Sequence, residues 1–337
     1  MIIEEDIKTV IKNLGTLKNG YKNKTILVTG GAGFLGSYIC DLLVSLKSNV
    51  ICLDNLSSGS DSYIEHLKSK ENFRFLKWDV IKPLKIDEKI DMIFNLASIA
   101  SPPAYRDYGI DIILANIVGT YNMLELARKN NARFFYSSSS EVYGDAEILP
   151  TPENYWGKVN TTEIKSSYIE AKRCSESLCF AFFYKYNIDI RIARIFNAYG
   201  PRLKWGNKFG RVVNIFLHQA VMDDFITIVG TGEQTRSFCY VSDTINAILR
   251  MMALPNLKSQ IINIGTDKEI SVNELVDTIN NIIKVKVKHI KRDFKEAYRR
   301  CPNISKAKEL LNWEPKIKLE EGLKRTIKWM KEEIQKK

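Results

Sequence analysis

Histidine is scarce in this chain. Its three copies, His66, His218 and His289, have no ligand-forming neighbours around them in sequence. The six cysteines, Cys40, Cys52, Cys174, Cys179, Cys239 and Cys301, contain no C-x-x-C pair and no zinc-type spacing. A metal site is therefore not expected, and the cysteines read as reduced, mostly buried thiols. No apolar run reaches membrane-spanning length. The acidic start, Met1-Ile2-Ile3-Glu4-Glu5-Asp6, does not look like a secretory signal. These absences lead to the expectation of a cytoplasmic protein with no membrane partner. Internal repeats and low-complexity stretches are absent too.

What is there suits a globular enzyme. The 337 residues are 45% hydrophobic and 26% charged, enough for one large or two ordinary domains. The net charge of +11 raises nucleic acid as a partner. Much of the lysine, however, lies between Lys284 and Lys337, mixed with glutamate on apparent helices, which is the pattern of a solvated face. No basic stripe with aromatic platforms occurs, so no nucleic-acid role is expected. A positive field also suits a small phosphorylated anion.

From Met1 to about Asn23, Ile7, Val10, Ile11 and Leu14 fall at helical spacing, predicting an amphipathic segment that packs on the body or on another subunit. Thr25 to Thr29 then reads as a buried strand, followed by Gly30-Gly31-Ala32-Gly33-Phe34-Leu35-Gly36 and a helical run to Leu46. Gly30 permits a tight turn. Gly33 lets backbone N–H groups approach a pyrophosphate at the helix N-terminus, with Phe34 and Leu35 beside it. Gly36 allows close packing of helix on strand. A second strand from Asn49 ends at Asp54, next to Asn55. A carboxylate there accepts hydrogen bonds from an adenosine ribose and repels a 2′-phosphate, which favours NAD over NADP.

Further strand-like runs lead to Asp79 and Val80, a candidate adenine contact, to Leu96, Ala97 and Ser98, and to Ser137–Ser140. Helical patterns lie between them, and the 110–130 helix carries Asn116, a further expected cofactor contact. Alternating strands and helices predict an α/β fold with a doubly wound parallel sheet of the Rossmann type, with ligands at the carboxyl ends of the strands. After Ile195 the pattern loosens. The expected organisation is a helical extension over 1–24, a dinucleotide-binding domain over 25–197 and 232–263, and a smaller α/β substrate lobe over 198–231 and 264–337. Ser242 or Asp243 is positioned to cap the helix running to Met252, and Ser271 with Glu274 forms a capping box.

Ser139, Ser140 and Glu141 fall at a strand end, and Tyr168 and Lys172 follow. On a helix, the spacing of the last two puts both side chains on one face, where they meet one molecule. A phenol with an ordinary pKa of about 10 is a poor base at neutral pH, and a nearby ammonium favours its ionised form. The spacing alone is common on solvated helices; the rest of the chain gives it meaning.

Taken together, the T-G-G-x-G-F-L-G start, S-x-E-V-Y-G at Ser139–Gly144, Y-x-x-x-K at Tyr168–Lys172 and R-I-F-N-x-Y-G-P-R at Arg194–Arg202 resemble the extended short-chain dehydrogenase/reductase superfamily over about residues 25–330. Within it the chain is most similar to the UDP-glucuronate decarboxylases (UDP-xylose synthases). Asn95–Ser98 with Ser101-Pro-Pro103, Tyr155-Trp-Gly157, Gly210-Arg-Val-Val213, Gln234-Thr-Arg236 and Trp313-Glu-Pro315 carry that likeness. The chain departs from the family at Thr161, Glu163 and Lys165, at Ile169-Glu170-Ala171, and at Arg300-Cys301-Pro302.

The resemblance implies tightly bound, recycled NAD and a UDP-sugar substrate. Tyr168 is the implied base at the sugar 4-hydroxyl. Lys172 holds the cofactor ribose and depresses the tyrosine, and Ser139, with Ser140, binds the same sugar oxygen. Glu141 positions the substrate or a water, and Arg300 grips the sugar carboxylate. Arg202 and Arg236 suit a diphosphate, because the guanidinium fork matches phosphate oxygens. Asn197 and Val212 complete the implied substrate contacts. A 4-epimerase or a 4,6-dehydratase begins with the same oxidation, and a non-catalytic NAD-binding regulator is a reading from another class. The superfamily also implies a homodimer through a four-helix bundle of the 110–130 and 168–185 helices.

Overall fold

The computed structural model describes residues 1–206, 209–291 and 298–336. Residues 207–208, 292–297 and 337, all within the smaller lobe expected from sequence, lie outside the described residues. Seven strands form the main sheet: β1 (Thr25–Thr29), β2 (Asn49–Asp54), β3 (Phe73–Lys77), β4 (Met92–Asn95), β5 (Arg133–Ser139), β6 (Ile190–Ile195) and β7 (Gln260–Ile264). All neighbours pair in parallel, in the order β7-β6-β5-β4-β1-β2-β3. The chain runs outward from β1 to β3 and then returns to place β4 on the other side of β1. That reversal opens a crevice beyond the carboxyl ends of β1 and β4.

The helices are α1 (Ile2–Leu14), α2 (Phe34–Ser45), α3 (Tyr105–Asn130), α4 (Ser166–Tyr186), α5 (Val212–Met222), α6 (Val241–Ala253), α7 (Val272–Ile282), α8 (Ser305–Leu311) and α9 (Leu319–Gln335). They cover both faces of the sheet, so the strands are near-continuous apolar runs. In β1, Ile26 and Val28 join one buried cluster and Leu27 joins another. The first cluster continues through α5, α7 and α9, so the sheet and the later helices share one core.

Of the two places the sequence left open for the N-terminal segment, the structure takes the body. Ile2, Val10 and Leu14 of α1 are buried against the core, and Asp6 is fully buried with them. The capping box at Ser271 and Glu274 forms in both directions. The expected cap of α6 does not. Tyr240 occupies the N-cap position with no side-chain cap bond. Asp243 instead accepts the backbone N–H groups of Lys316 and Ile317, at 2.9 and 2.8 Å, and so anchors the approach to α9. One expectation about apolar runs also fails: Pro102–Asn130 is long and apolar enough to cross a membrane by length and composition. Here it packs along α4, and the apolar residues that remain exposed on it are described below.

Candidate active site

The glycine turn is built for close approach. Gly30 has φ +67°, and a Cβ there would stand 2.9 Å from the backbone N of Ala97. A Cβ on Gly36 would stand 2.1 Å from the carbonyl oxygen of Gly30, so α2 starts directly against the turn. The crevice above it is a cavity of about 350 Å³. Gly30, Gly33, Phe34, Leu35, Asp54, Asn55, Asp79, Val80, Leu96, Ala97 and Ser98 all line it, together with Ser139, Tyr168 and Lys172.

Asp54 accepts the backbone N–H of Ala32 on one oxygen, at 3.0 Å, and that of Leu56 on the other, at 2.8 Å. The carboxylate is thereby aimed into the cleft from the end of β2. Burial raises its pKa, while those two N–H groups and Lys204 act against the rise. A rigid carboxylate opposite a glycine cradle fits the ribose and pyrophosphate of a dinucleotide.

Tyr168 lies in the first turn of α4 and is 4% exposed. Its ring stacks on Tyr105, with centroids 5.2 Å apart and planes 13° from parallel. One turn on, Lys172 donates from Nζ to the carbonyl oxygen of Ser137 at 2.7 Å and lies 4.9 Å from the centre of the Tyr136 ring. Burial pulls the lysine down to about 7. Burial pushes the Tyr168 phenol up, and the largest opposing influence is Arg211, followed by a hydrogen bond with Ser139. Arg211 is thus a cation acting on the phenol that the sequence reading did not include, and Lys172 lies 5.6 Å from the centre of the Tyr168 ring.

Ser139 ends β5, and its Oγ accepts the N–H of Glu141 at 3.2 Å, opening a short 3₁₀ turn over Ser140–Tyr143. Glu141 meets Arg300 through both Nη atoms. The two side chains are 20% and 13% exposed. Burial alone would raise the Glu141 carboxyl, but Arg300, Arg236 and Arg211 outweigh it and hold it below its usual range. Arg236, also buried, donates to the carbonyl oxygens of Thr235 and Tyr298. Glu141, Arg300 and Arg211 all influence Tyr168, so the cluster and the phenol form one electrostatic unit.

Several expected contacts are placed differently. Arg202 is buried, pairs with Asp41 of α2 at 2.6 Å and lies over the Tyr38 and Tyr63 rings. It lines the cavity from the α2 side, with its charge shared with Asp41. Asn116 is buried and does not line the cleft; its amide donates to Ser98 Oγ at 2.9 Å and so orients a residue that does. Val212 packs against the core, and the preceding Arg211 faces the cavity instead. Ser140 is buried beneath the 3₁₀ turn, and Asn197 donates to the carbonyl oxygen of Ser237 at 3.3 Å. Arg211, Tyr105 and Lys204 were missed. Arg211 had a signal, because it immediately precedes a helical run in a stretch already singled out; the other two had none.

A family model described as "NAD dependent epimerase/dehydratase family" matches residues 26–265. UDP-glucuronic acid decarboxylase 6 of Arabidopsis thaliana is 43% identical over 89% of this chain and 87% of its own length. UDP-glucuronic acid decarboxylase 1 of Xenopus tropicalis is 40% identical over 93% of this chain and 73% of its own. Among solved structures, the UDP-glucose 4-epimerase of Thermotoga maritima, crystallised with UDP-glucose, is 30% identical with a TM-score of 0.83, covering 92% of this chain and 99% of that one.

Proposed function

This chain belongs to the NAD dependent epimerase/dehydratase family and is an enzyme of NAD-dependent nucleotide-sugar conversion; from that premise we propose that it decarboxylates UDP-glucuronate to UDP-xylose. The observation that carries the choice is the Glu141–Arg300 pair beside Tyr168. Oxidation and reduction at C4 need a base and an oxygen ligand, which Tyr168 and Ser139 supply. A guanidinium paired with a depressed carboxylate is extra equipment, and it suits a substrate that carries a carboxylate of its own.

Bound NAD supplies a hydride acceptor for C4 and returns that hydride at the end, so we propose that it stays tightly bound and is recycled. Tyr168 takes the proton of the 4-hydroxyl as C4 becomes a ketone, and Ser139 hydrogen-bonds the same oxygen. The 4-keto group draws in the electron pair released when the C5 carboxylate leaves as carbon dioxide. Arg300 holds that carboxylate in place beforehand. Glu141 stays ionised at neutral pH because its pKa is depressed. It therefore acts as an acceptor that orients the substrate or the water that protonates C5. Tyr168 then gives its proton back to the C4 oxygen.

A 4-epimerase is the second reading, favoured by the structural likeness to the Thermotoga enzyme. Incubating the purified protein with UDP-glucuronate separates the two. Release of carbon dioxide, with a product lighter by that mass, is the expected result. Unchanged mass with inverted C4 would overturn it in favour of epimerisation, and loss of water from a neutral hexose would point to a dehydratase.

The proposed assembly is a cytoplasmic homodimer joined through α3 and α4. Its support is the apolar surface those helices leave uncovered, with Ile110 76% and Tyr184 78% exposed and Tyr121 nearby on α3. Sedimentation showing only a 38.7 kDa species would refute it.

A further inference from the structure

The reacting groups sit on two elements. Tyr168 and Lys172 project from α4, and Ser139 ends β5. Whatever fixes one element against the other sets the geometry of the reaction. The next position in the Tyr168–Lys172 row of α4 is Glu176. Its Oε1 accepts from Ser138 Oγ at 2.5 Å and from Arg194 Nε at 3.0 Å, and its Oε2 accepts from Arg194 Nη2 at 2.7 Å. Ser138 and Arg194 are register partners on β5 and β6, and Ser138 immediately precedes Ser139. Arg194 is held in turn, donating to the Glu153 carbonyl oxygen at 2.9 Å, with its guanidinium 4.7 Å from the centre of the Tyr143 ring.

We propose that Glu176 is a positioning residue for the reaction: its carboxylate bolts α4 to the paired ends of β5 and β6 and so sets Tyr168 and Lys172 against Ser139. Glu176 touches neither the cavity nor the reacting atoms. It acts through the backbone of the strand that presents Ser139 and through the helix that presents the other two.

Its charge adds a second effect. Burial is the largest influence on Lys172 and lowers it; Glu176 and then Cys179 work against that, and Arg211 adds to the lowering. Lys172 also faces the Tyr136 and Tyr168 rings and the Ser137 carbonyl. Glu176 itself faces Arg194 and Ser138, with Tyr143 in the same neighbourhood. Removing the Glu176 charge therefore leaves Lys172 easier to deprotonate. Because Lys172 is a proposed contact of the cofactor ribose, NAD affinity reports its protonation independently of turnover.

The test uses Glu176→Gln and Ser138→Ala. NAD binding is followed by quenching of tryptophan fluorescence across the neutral pH range, alongside the rate of UDP-glucuronate decarboxylation. For Glu176→Gln, the pH at which NAD affinity falls away moves down by about one unit, as expected on losing a nearby opposite charge. The alkaline limb of kcat moves with it. For Ser138→Ala the charge and the bonds to Arg194 remain while the direct tie to β5 is lost, so kcat drops several-fold with the pH midpoints unmoved. A folded Glu176→Gln protein with the parent midpoint, or Ser138→Ala with the parent kcat, overturns the proposal. Should Glu176→Gln not fold, Glu176→Asp keeps the charge and withdraws it from Ser138. It is expected to lower kcat with no change of midpoint, and an undiminished kcat overturns the proposal. The kinetic arm rests on the decarboxylase reading. If the parent protein releases no carbon dioxide, that reading fails while the NAD-binding midpoint still decides the role of Glu176.

Discussion

Replacing Arg300 by methionine removes the guanidinium that meets Glu141 through both Nη atoms, and leaves a side chain of similar reach. Stripping one partner from a fully buried pair costs about 3–5 kcal/mol. This pair keeps some access to solvent, with side chains 13% and 20% exposed, so about 2–3 kcal/mol is the better figure. That cost falls on the folded protein; the loss in turnover is that of a charge-assisted contact to the sugar carboxylate, about 1.5–3 kcal/mol, or roughly 10- to 150-fold in kcat/KM. The pH profile changes as well. Arg300 is the largest of the influences that hold the Glu141 carboxyl down against burial. Without it burial pushes the group up, so Glu141 takes on a proton at higher pH and the acid limb of the rate profile moves upward. Affinity for UDP-glucose, which has no carboxylate for Arg300 to hold, is expected to change little. Initial rates with UDP-glucuronate across pH, with UDP-glucose binding as the control, decide the matter. A variant within about threefold of the parent, or roughly 0.6 kcal/mol, would show that the pair does not serve the sugar carboxylate.

Three other perturbations test separate parts of the reasoning. Tyr168→Phe keeps the ring stacked on Tyr105 and removes the base; NAD titration should be unchanged while turnover falls by about 10²–10⁴-fold, and a normal rate would exclude Tyr168 as the base. Arg211→Met takes away the largest influence opposing the burial of the Tyr168 phenol, so the rise of rate with pH should move to higher pH; an unmoved profile would contradict that assignment. Asp6→Asn concerns stability. Burial raises Asp6 from 3.8 to about 6, so the folded chain binds this proton more tightly than the unfolded one. Stability from this group is therefore present below about 4 and lost as pH rises through about 6, a difference of up to about 3 kcal/mol. Melting temperatures of parent and Asp6→Asn should diverge across that window in favour of the variant, and parallel curves would refute the account.

Local pattern carried the elements that later proved to position the site. The β1–α2–β2 unit is legible because strand, turn and helix follow one another within thirty residues, and each glycine answers a requirement of its immediate neighbours. Tyr168 and Lys172 are legible because one helical turn fixes their relation. The charged partners are not legible in this way. Glu141 and Arg300 lie 159 positions apart, and Arg202 and Asp41 lie 161 apart, so only the folded chain decides which guanidinium meets which carboxylate. In sequence Arg202 and Arg236 look equivalent. In the fold one is matched by an aspartate of α2, and the other influences Glu141. Val212 was expected at the substrate, and Arg211 lines the cavity beside it. The start of α5 sets which of two adjacent side chains turns to the cavity, and helix starts are fixed by capping geometry that periodicity does not resolve.

The positions of those cations bear on the substrate more directly than the net charge does. Lysines on the exposed face of α9 act in water and are screened within about 10 Å at ordinary salt. Arg211, Arg236 and Arg300 act inside a low-dielectric wall, and all three depress the Glu141 carboxyl; Arg236 also lowers that of Glu269. Two of them, Arg211 and Arg300, also favour the ionised form of Tyr168. Arg211 also lines the cavity, and a guanidinium in the wall of a cleft attracts anions. A neutral hexose on a nucleoside diphosphate brings its charge only at the diphosphate. A glucuronate brings a second charge to the ring itself. When carbon dioxide departs, that charge leaves the ring and the 4-keto oxygen takes up the electron pair, so the negative charge moves toward Ser139 and Tyr168 without leaving the field of the same arginines. An arrangement that stabilises charge before and after the bond breaks suits decarboxylation better than rotation of a neutral ketone.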